Sequence, residues 1–196
     1  MYKKGIIMDV KLQKMTFSSV YPRLDEFYSI LSENRARLKP WFWWANEKVT
    51  PNKFKFALFI SLYLCDTKRK EIAHKFNFKK LYDEQFLIYA DNAFRGMIGL
   101  DNIDNVKSNA ELWGWIARGG KASEIVDVSL KSLEDYCISD KKLKSLYAKT
   151  QTSNQPVKIA AVRNGYQKIK TEYGVRVSRR NPNISDIITW EKQLVK

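Results

Sequence analysis

The sequence is poor in the residues that most often do chemistry or staple a fold. It has one histidine, His74, and two cysteines, Cys65 and Cys137, in 196 residues. The cysteines lie far apart and lack CxxC spacing, so neither a zinc site nor a disulfide framework is expected. A lone histidine leaves little room for Ser-His-Asp or Cys-His catalysis. Long apolar runs are missing too. Residues 56–65 (FALFISLYLC) form the longest, well short of the roughly 20 that a membrane-spanning helix needs. The opening MYKKGIIMDVKLQK has lysines but no useful apolar stretch, so no signal peptide is expected, and no membrane partner. A reducing cytoplasm is the expected compartment. Acidic residues are the last shortage: 35 Lys+Arg stand against 21 Asp+Glu, a net charge of +14. The excess is even, with 18 basic and 10 acidic residues in 1–98 and 17 and 11 in 99–196. No basic arm or nucleic-acid signature stands out, so a nucleic-acid partner is not expected. The field still favours encounter with an anionic ligand or an acidic partner.

What is present is enough to fold. With 44% hydrophobic and 13% aromatic residues, the chain can bury a core, and its length suits a single domain over 1–196. Residues 11–17 read as a strand. Pro22 then precedes Leu24, Phe27, Tyr28, Leu31 and Leu38, a helical stripe ending before Pro40. Thr50-Pro51 starts a second helix reaching about residue 76. Residues 85–91 and 93–103 read as strands joined by the turn pair Asp91-Asn92. In residues 110–117 (AELWGWIA), Glu111, Trp113 and Trp115 alternate with Leu112, Gly114 and Ile116, the pattern of a strand. A glycine-containing basic turn, residues 118–123, leads into a helix with Val126, Leu130, Leu133 and Cys137 on one face. Residues 143–150 are a strand, and a short helix after Asn154 stops at Asn164-Gly165. Residues 166–171 and 184–191 close the chain as strands. The expected class is mixed α/β.

The strand, turn and helix from Glu111 to Cys137 carry the most chemistry. Successive backbone N–H groups in such a turn, with a helix N-terminus behind them, suit a phosphate or pyrophosphate, and Arg118 and Lys121 add charge. The turn is neither GxxxxGK[ST] nor GxGxxG.

Four pieces of sequence resemble the RimJ/RimL-type branch of the GNAT N-acetyltransferases. Residues 34–41 (NRARLKPW) followed by Trp43-Trp44 look like the family's NRxxLxxWxxW stretch. Residues 97–100 (MIGL) with 109–116 (NAELWGWI) are similar to its paired strands. Asn154 followed by Gly165-Tyr166 is similar to its Asn-to-Gly-Phe helix. Residues 184–189 look like its closing strand. The resemblance spans roughly residues 12–192. It implies a GNAT-like domain, with a mostly antiparallel twisted sheet between helices on both faces. It also implies acetyl-CoA as co-substrate and transfer of acetyl to a primary amine, on a protein N-terminus or a small molecule.

Carried over, the resemblance places backbone groups of Ile116 and Ala117 on the pantetheine amides. Arg118, Gly119, Gly120, Lys121, Ala122 and Ser123 would hold the pyrophosphate, and Asn154 would sit near the pantetheine arm. No metal is needed: the amine attacks the thioester once a base has taken its proton, and backbone N–H groups stabilise the carbonyl oxygen. Glu111 is the candidate base. Trp41, Trp43, Trp44 and Trp113 are candidates for the acceptor pocket; packing in the core is the competing reading. The sequence departs from the family where Val157 and Ala161 replace expected hydroxyls and Ile169 replaces a glutamate. A non-catalytic acyl-CoA-binding or protein-interaction member of the same fold is therefore the alternative. Family members are monomers or dimers, and the sequence favours neither.

Overall fold

The computed structural model describes residues 8–40, 45, 83–176 and 184–194. The second expected helix, from Thr50, lies outside them, as do Cys65 and His74. Seven strands form one sheet in the order β1-β2-β3-β4-β5-β7-β6. Four helices are seen among the described residues.

Strand β1 (Val10–Lys14) is shorter than expected, because the four-residue helix α1 (Phe17–Val20) begins where the strand was expected to continue. The cause is local. The Thr16 N–H donates to Ser19 Oγ at 2.9 Å and the Ser19 N–H donates to Thr16 Oγ1 at 3.2 Å. Such a reciprocal cap starts a helix. A single 3-10 turn over Tyr21–Arg23 follows, and then α2 (Leu24–Leu38). Strands β2 (Glu84–Ala90) and β3 (Ala93–Asp104) make a hairpin, where Asp91 and Asn92 both take positive φ (50° and 63°). This is the twist-matched two-residue turn that the Asp-Asn pair signals. Strand β4 (Asn109–Ile116) leads into α3 (Ala122–Ser139), and β5 (Ser145–Gln151) into α4 (Gln155–Arg163). Strands β6 (Gln167–Arg176) and β7 (Ile184–Gln193) end the sheet.

Each face of the sheet has its own core. Ile98, Leu100, Ala110 and Leu146 pack with Ile125, Leu130, Leu133 and Cys137 of α3. On the other face Leu87, Tyr89, Phe94 and Trp115 pack with Val20 of α1 and Phe27 and Leu38 of α2. Leu100, Leu133, Cys137 and Leu146 are fully buried, each leucine contributing roughly 1.5–3 kcal/mol of apolar burial. All the ladders are antiparallel except β4–β5. The expected mixed α/β sheet between helices on both faces is what the chain forms.

Candidate active site

The one parallel pairing is also the shortest. Strand β4 pairs with β3 from Asn109 to Ile116, yet it meets β5 only at Asn109↔Ser145, Ala110↔Leu146 and Glu111↔Tyr147. Beyond Glu111 and Tyr147 the strands part, since β5 continues to Gln151 against β7 alone. The sheet therefore contains a fork, narrow at Glu111 and Tyr147 and wide at Ile116. The Ala117 N–H donates to the Arg95 carbonyl at 2.6 Å, which fixes the parity of the strand. Peptide groups of Trp113 and Trp115 point to β3, and those of Leu112, Gly114 and Ile116 point into the fork. Gly114 is exposed there.

At the wide end the chain turns through residues 118–121. Gly119 has φ +151°, a backbone conformation that favours glycine, and it passes close over the Arg95 guanidinium, whose Nη2 is 2.3 Å from where a Cβ would lie. Gly120 faces open space. Lys121, with φ 62°, precedes α3 and offers no side-chain cap. Among the described residues no side chain caps the first N–H groups of this 18-residue helix, on Ala122, Ser123 and Glu124, and the positive end of its dipole faces the turn.

Residues from the Asn34-to-Trp41 motif secure this end. Asn34 Oδ1 accepts the Arg118 N–H at 3.0 Å and Arg37 Nη2 at 3.2 Å, while Asn34 Nδ2 donates to the Ile30 carbonyl at 2.8 Å. Arg37 Nη2 also donates to the Ile116 carbonyl. Burial, and then the neighbouring Arg118 charge, lower the Arg37 pKa from its usual value. Among the described residues neither guanidinium forms an ion pair with a carboxylate. Two adjacent cations beside these helix N–H groups favour an anion.

At the narrow end, Glu111 is half-buried and its Oε2 accepts Asn102 Nδ2 at 2.7 Å. A bulge between Asp101 and Asp104 gives Asn102 a φ of 51°, where the β3–β4 register shifts. The half-buried Trp113 shares the Glu111 face, and its indole lies against Gly99, where a Cβ would come within 2.8 Å of the ring. Trp115 is core, edge-on to Phe94 with ring centroids 5.9 Å apart. Asn154 sits at the N-terminus of α4, just past the far end of β5. That helix is tied to the start of α3: Arg163 grips Asp127 through Nε and Nη2 and also reaches the Ser123 carbonyl at 3.1 Å. Val157 is exposed, Ala161 is in the core and Ile169 is exposed on β6.

The fork thus separates the sequence-predicted residues into two groups. Glu111 and Trp113 lie at its narrow end, and Ile116 to Ser123 line its wide end. Trp41, Trp43 and Trp44 lie outside the described residues. The Ala117 N–H and the Ile116 carbonyl, expected to pair with an amide-bearing arm, are bonded to Arg95 and Arg37. The fork-facing groups further down are those of Leu112 and Gly114. Arg37, Asn102 and Tyr147 were not singled out by the sequence; only Arg37 lay within a motif.

No family model matches the chain, and no curated protein matches it in sequence. Solved structures do match. One is RimL, the ribosomal L7/L12 alpha-N-protein acetyltransferase in complex with coenzyme A: TM-score 0.73, 15% identity, covering 94% of this chain and 93% of that one. A second is the microcin C7 self-immunity acetyltransferase MccE in complex with acetyl-CoA and AMP: TM-score 0.72, 16% identity, covering 94% and 92%. A third is spermidine N-acetyltransferase from Vibrio cholerae in complex with CoA and spermine: TM-score 0.64, 13% identity, covering 94% and 95%. The forked sheet, with the cationic turn and α3 at its wide end, shares the fold of these acetyltransferase structures.

Proposed function

We propose that this chain is an acetyl-CoA-dependent N-acetyltransferase of the cytoplasm, acting on a primary amine. The observation that carries the reading is the fork itself, a gap in the ladder that ends at its wide mouth on a cationic turn and a helix N-terminus that no described side chain caps. A pyrophosphate fits the N–H groups of Ala122, Ser123 and Glu124, with Arg118 and Lys121 beside it. From there an amide-bearing arm runs down the fork along Leu112 and Gly114, replacing the missing β4–β5 ladder. Asn154 flanks that path from the β5 side. An N–H of this stretch stabilises the thioester oxygen as charge develops on it. Glu111, at the narrow end, takes the proton of the attacking amine. Trp113 shares its sheet face and borders the acceptor.

The structural relatives include an enzyme of a ribosomal protein N-terminus and one of spermidine, so a protein N-terminus and a small amine are both candidate acceptors. No helix among the described residues is long and apolar enough to cross a membrane. The apolar Val157 and Ala161 favour a second reading, a member that binds acyl-CoA without turning it over.

Calorimetric titration with acetyl-CoA, and with CoA as control, tests the reading. Saturable binding is expected. It is abolished or weakened by roughly 10²-fold in Gly120→Asp, which puts a carboxylate into open space in the turn, where it repels the phosphates. A folded wild type that binds neither ligand overturns the proposal.

A further inference from the structure

The narrow end of the fork holds a hydroxyl that the mechanism above leaves idle. Resting on the proposed acetyl transfer, we infer that Tyr147 is the proton donor to the leaving thiolate, across the fork from the base Glu111. Tyr147 and Glu111 are register partners in a parallel pair, so their side chains project from the same face of the sheet. They are also the last pair before the strands part. An arm anchored by its phosphates at the wide end therefore brings its reactive end between these two side chains.

Asn102 joins them. Its Nδ2 donates to Glu111 Oε2 at 2.7 Å, and its side chain is near enough to influence the Tyr147 phenol electrostatically. One amide on a β-bulge thus orients Glu111 beside Tyr147. The fork-lining residues 112–116 and 148–151 carry a single other hydroxyl, Thr150, which is buried, on the opposite face of its strand to Tyr147. Val157 and Ala161 on α4 offer no hydroxyl, whereas Tyr147 places one beside the base.

The surroundings keep the phenol protonated. Burial raises its pKa first, and the charges of Glu111 on β4 and of Asp101 and Asp104 on β3 add to this, while the nearby Asn102 amide opposes it. On β5 itself, Lys149 Nζ stands 5.9 Å from the ring centroid, where its charge favours a thiolate. The step balances without any further reactant. The amine nitrogen bonds to the thioester carbon and gives its proton to Glu111. The C–S bond breaks, and the sulfur takes the Tyr147 phenolic proton. The proton on Glu111 then returns to the Tyr147 phenolate through water, leaving an amide and a free thiol.

The test compares the full-length wild type with Tyr147→Phe and Asn102→Ala. Each is assayed for acetyl-CoA affinity by calorimetry and for kcat on polyamines and on peptides with free N-termini. Tyr147→Phe is expected to lower kcat by the order of 10²-fold, with acetyl-CoA affinity and acceptor KM within about twofold, and to lose the alkaline limb of the kcat–pH profile. Asn102→Ala is expected to show a smaller loss of the same kind. Full kcat in Tyr147→Phe, or lost acetyl-CoA binding in that variant, overturns the assignment while leaving acetyl transfer standing. A wild type that binds acetyl-CoA but acetylates no amine overturns it as well. A wild type that binds no acetyl-CoA removes the proposed function and this donor together.

Discussion

Among the described residues Glu111 is held by Asn102 rather than by a cation, which leaves its carboxylate free of an ion pair and available to the attacking amine. Glu111→Gln keeps the shape and the Asn102 contact but removes the basic oxygen. Steady-state assays should show kcat reduced by the order of 10²-fold or more, with the calorimetric affinity for acetyl-CoA unchanged. Full activity would remove Glu111 as the base. The side on which Glu111 lies was legible from the two-residue alternation of AELWGWIA, and Trp113 and Trp115 do share its face. That Trp115 is core was not legible, since alternation fixes the face and not the depth. Tyr147 was invisible for a different reason. Its meaning comes from a parallel pairing with a residue 36 positions earlier, brought together by α3, and no local pattern encodes that register. The helical spacing of Cys137 with Val126, Leu130 and Leu133 predicts packing on the helix face, and that is where it lies. It is fully buried, and burial, followed by the Glu134 charge, pushes its thiol up to about 12.

Elements are joined here by a few ion pairs under the strand ends. Glu84 of β2 lies almost buried between Lys14 of β1, with Nζ–Oε2 at 2.9 Å, and Lys141 from the turn after α3. Burial works against ionisation of Glu84, but the two lysines outweigh it and hold the carboxyl below the ordinary glutamate value. The native state therefore binds this proton less readily than the unfolded chain. Its stabilisation is fully present above the unfolded pKa of about 4.3 and is lost as pH falls through that value towards the lower native one. Urea unfolding at pH 7, 5 and 3 should show stability dropping over the acid interval, with a shallower drop in Glu84→Gln. An unchanged pH slope in that variant would show that the pair is energetically silent. Lys141→Met should cost about 1–3 kcal/mol at pH 7, because a mostly buried carboxylate then keeps only one partner.

In sequence, the run around Lys141, Lys142 and Lys144 reads as a solvated turn. Lys142 and Lys144 are exposed, as such a turn implies. Lys141 is not, because its partner lies 57 positions away. This turn also sits at the opposite end of α3 from Lys121, some 27 Å along an 18-residue helix, too far to join the phosphate site. The boundaries of β2, β3, β4 and α4 were legible to within a residue or two, because glycine, proline and Asp-Asn punctuation marks them.

Across the whole molecule, a charge of +14 surrounds a proposed site for a polyanion. Stopped-flow association of acetyl-CoA should slow several-fold between about 20 and 300 mM KCl, because the Debye length shortens to less than 10 Å and the long-range field is screened. A rate insensitive to salt would show that the evenly spread charge is not focused on the fork. The even spread itself was readable from a count. The focusing was not, because Arg37 reaches Arg118 only through the packing of α2 on the end of β4.

The short seam between β4 and β5 has a mechanical meaning. Three residue pairs join a block of four strands to a block of three, whereas the other ladders are longer. Tension applied across the sheet would tear that seam first, as cloth parts at its fewest stitches. A ligand lying in the fork adds stitches from both edges, so the rupture force of the seam becomes a gauge of occupancy. On this view the protein is an incomplete fabric, finished for one turnover at a time by the molecule it is built to use.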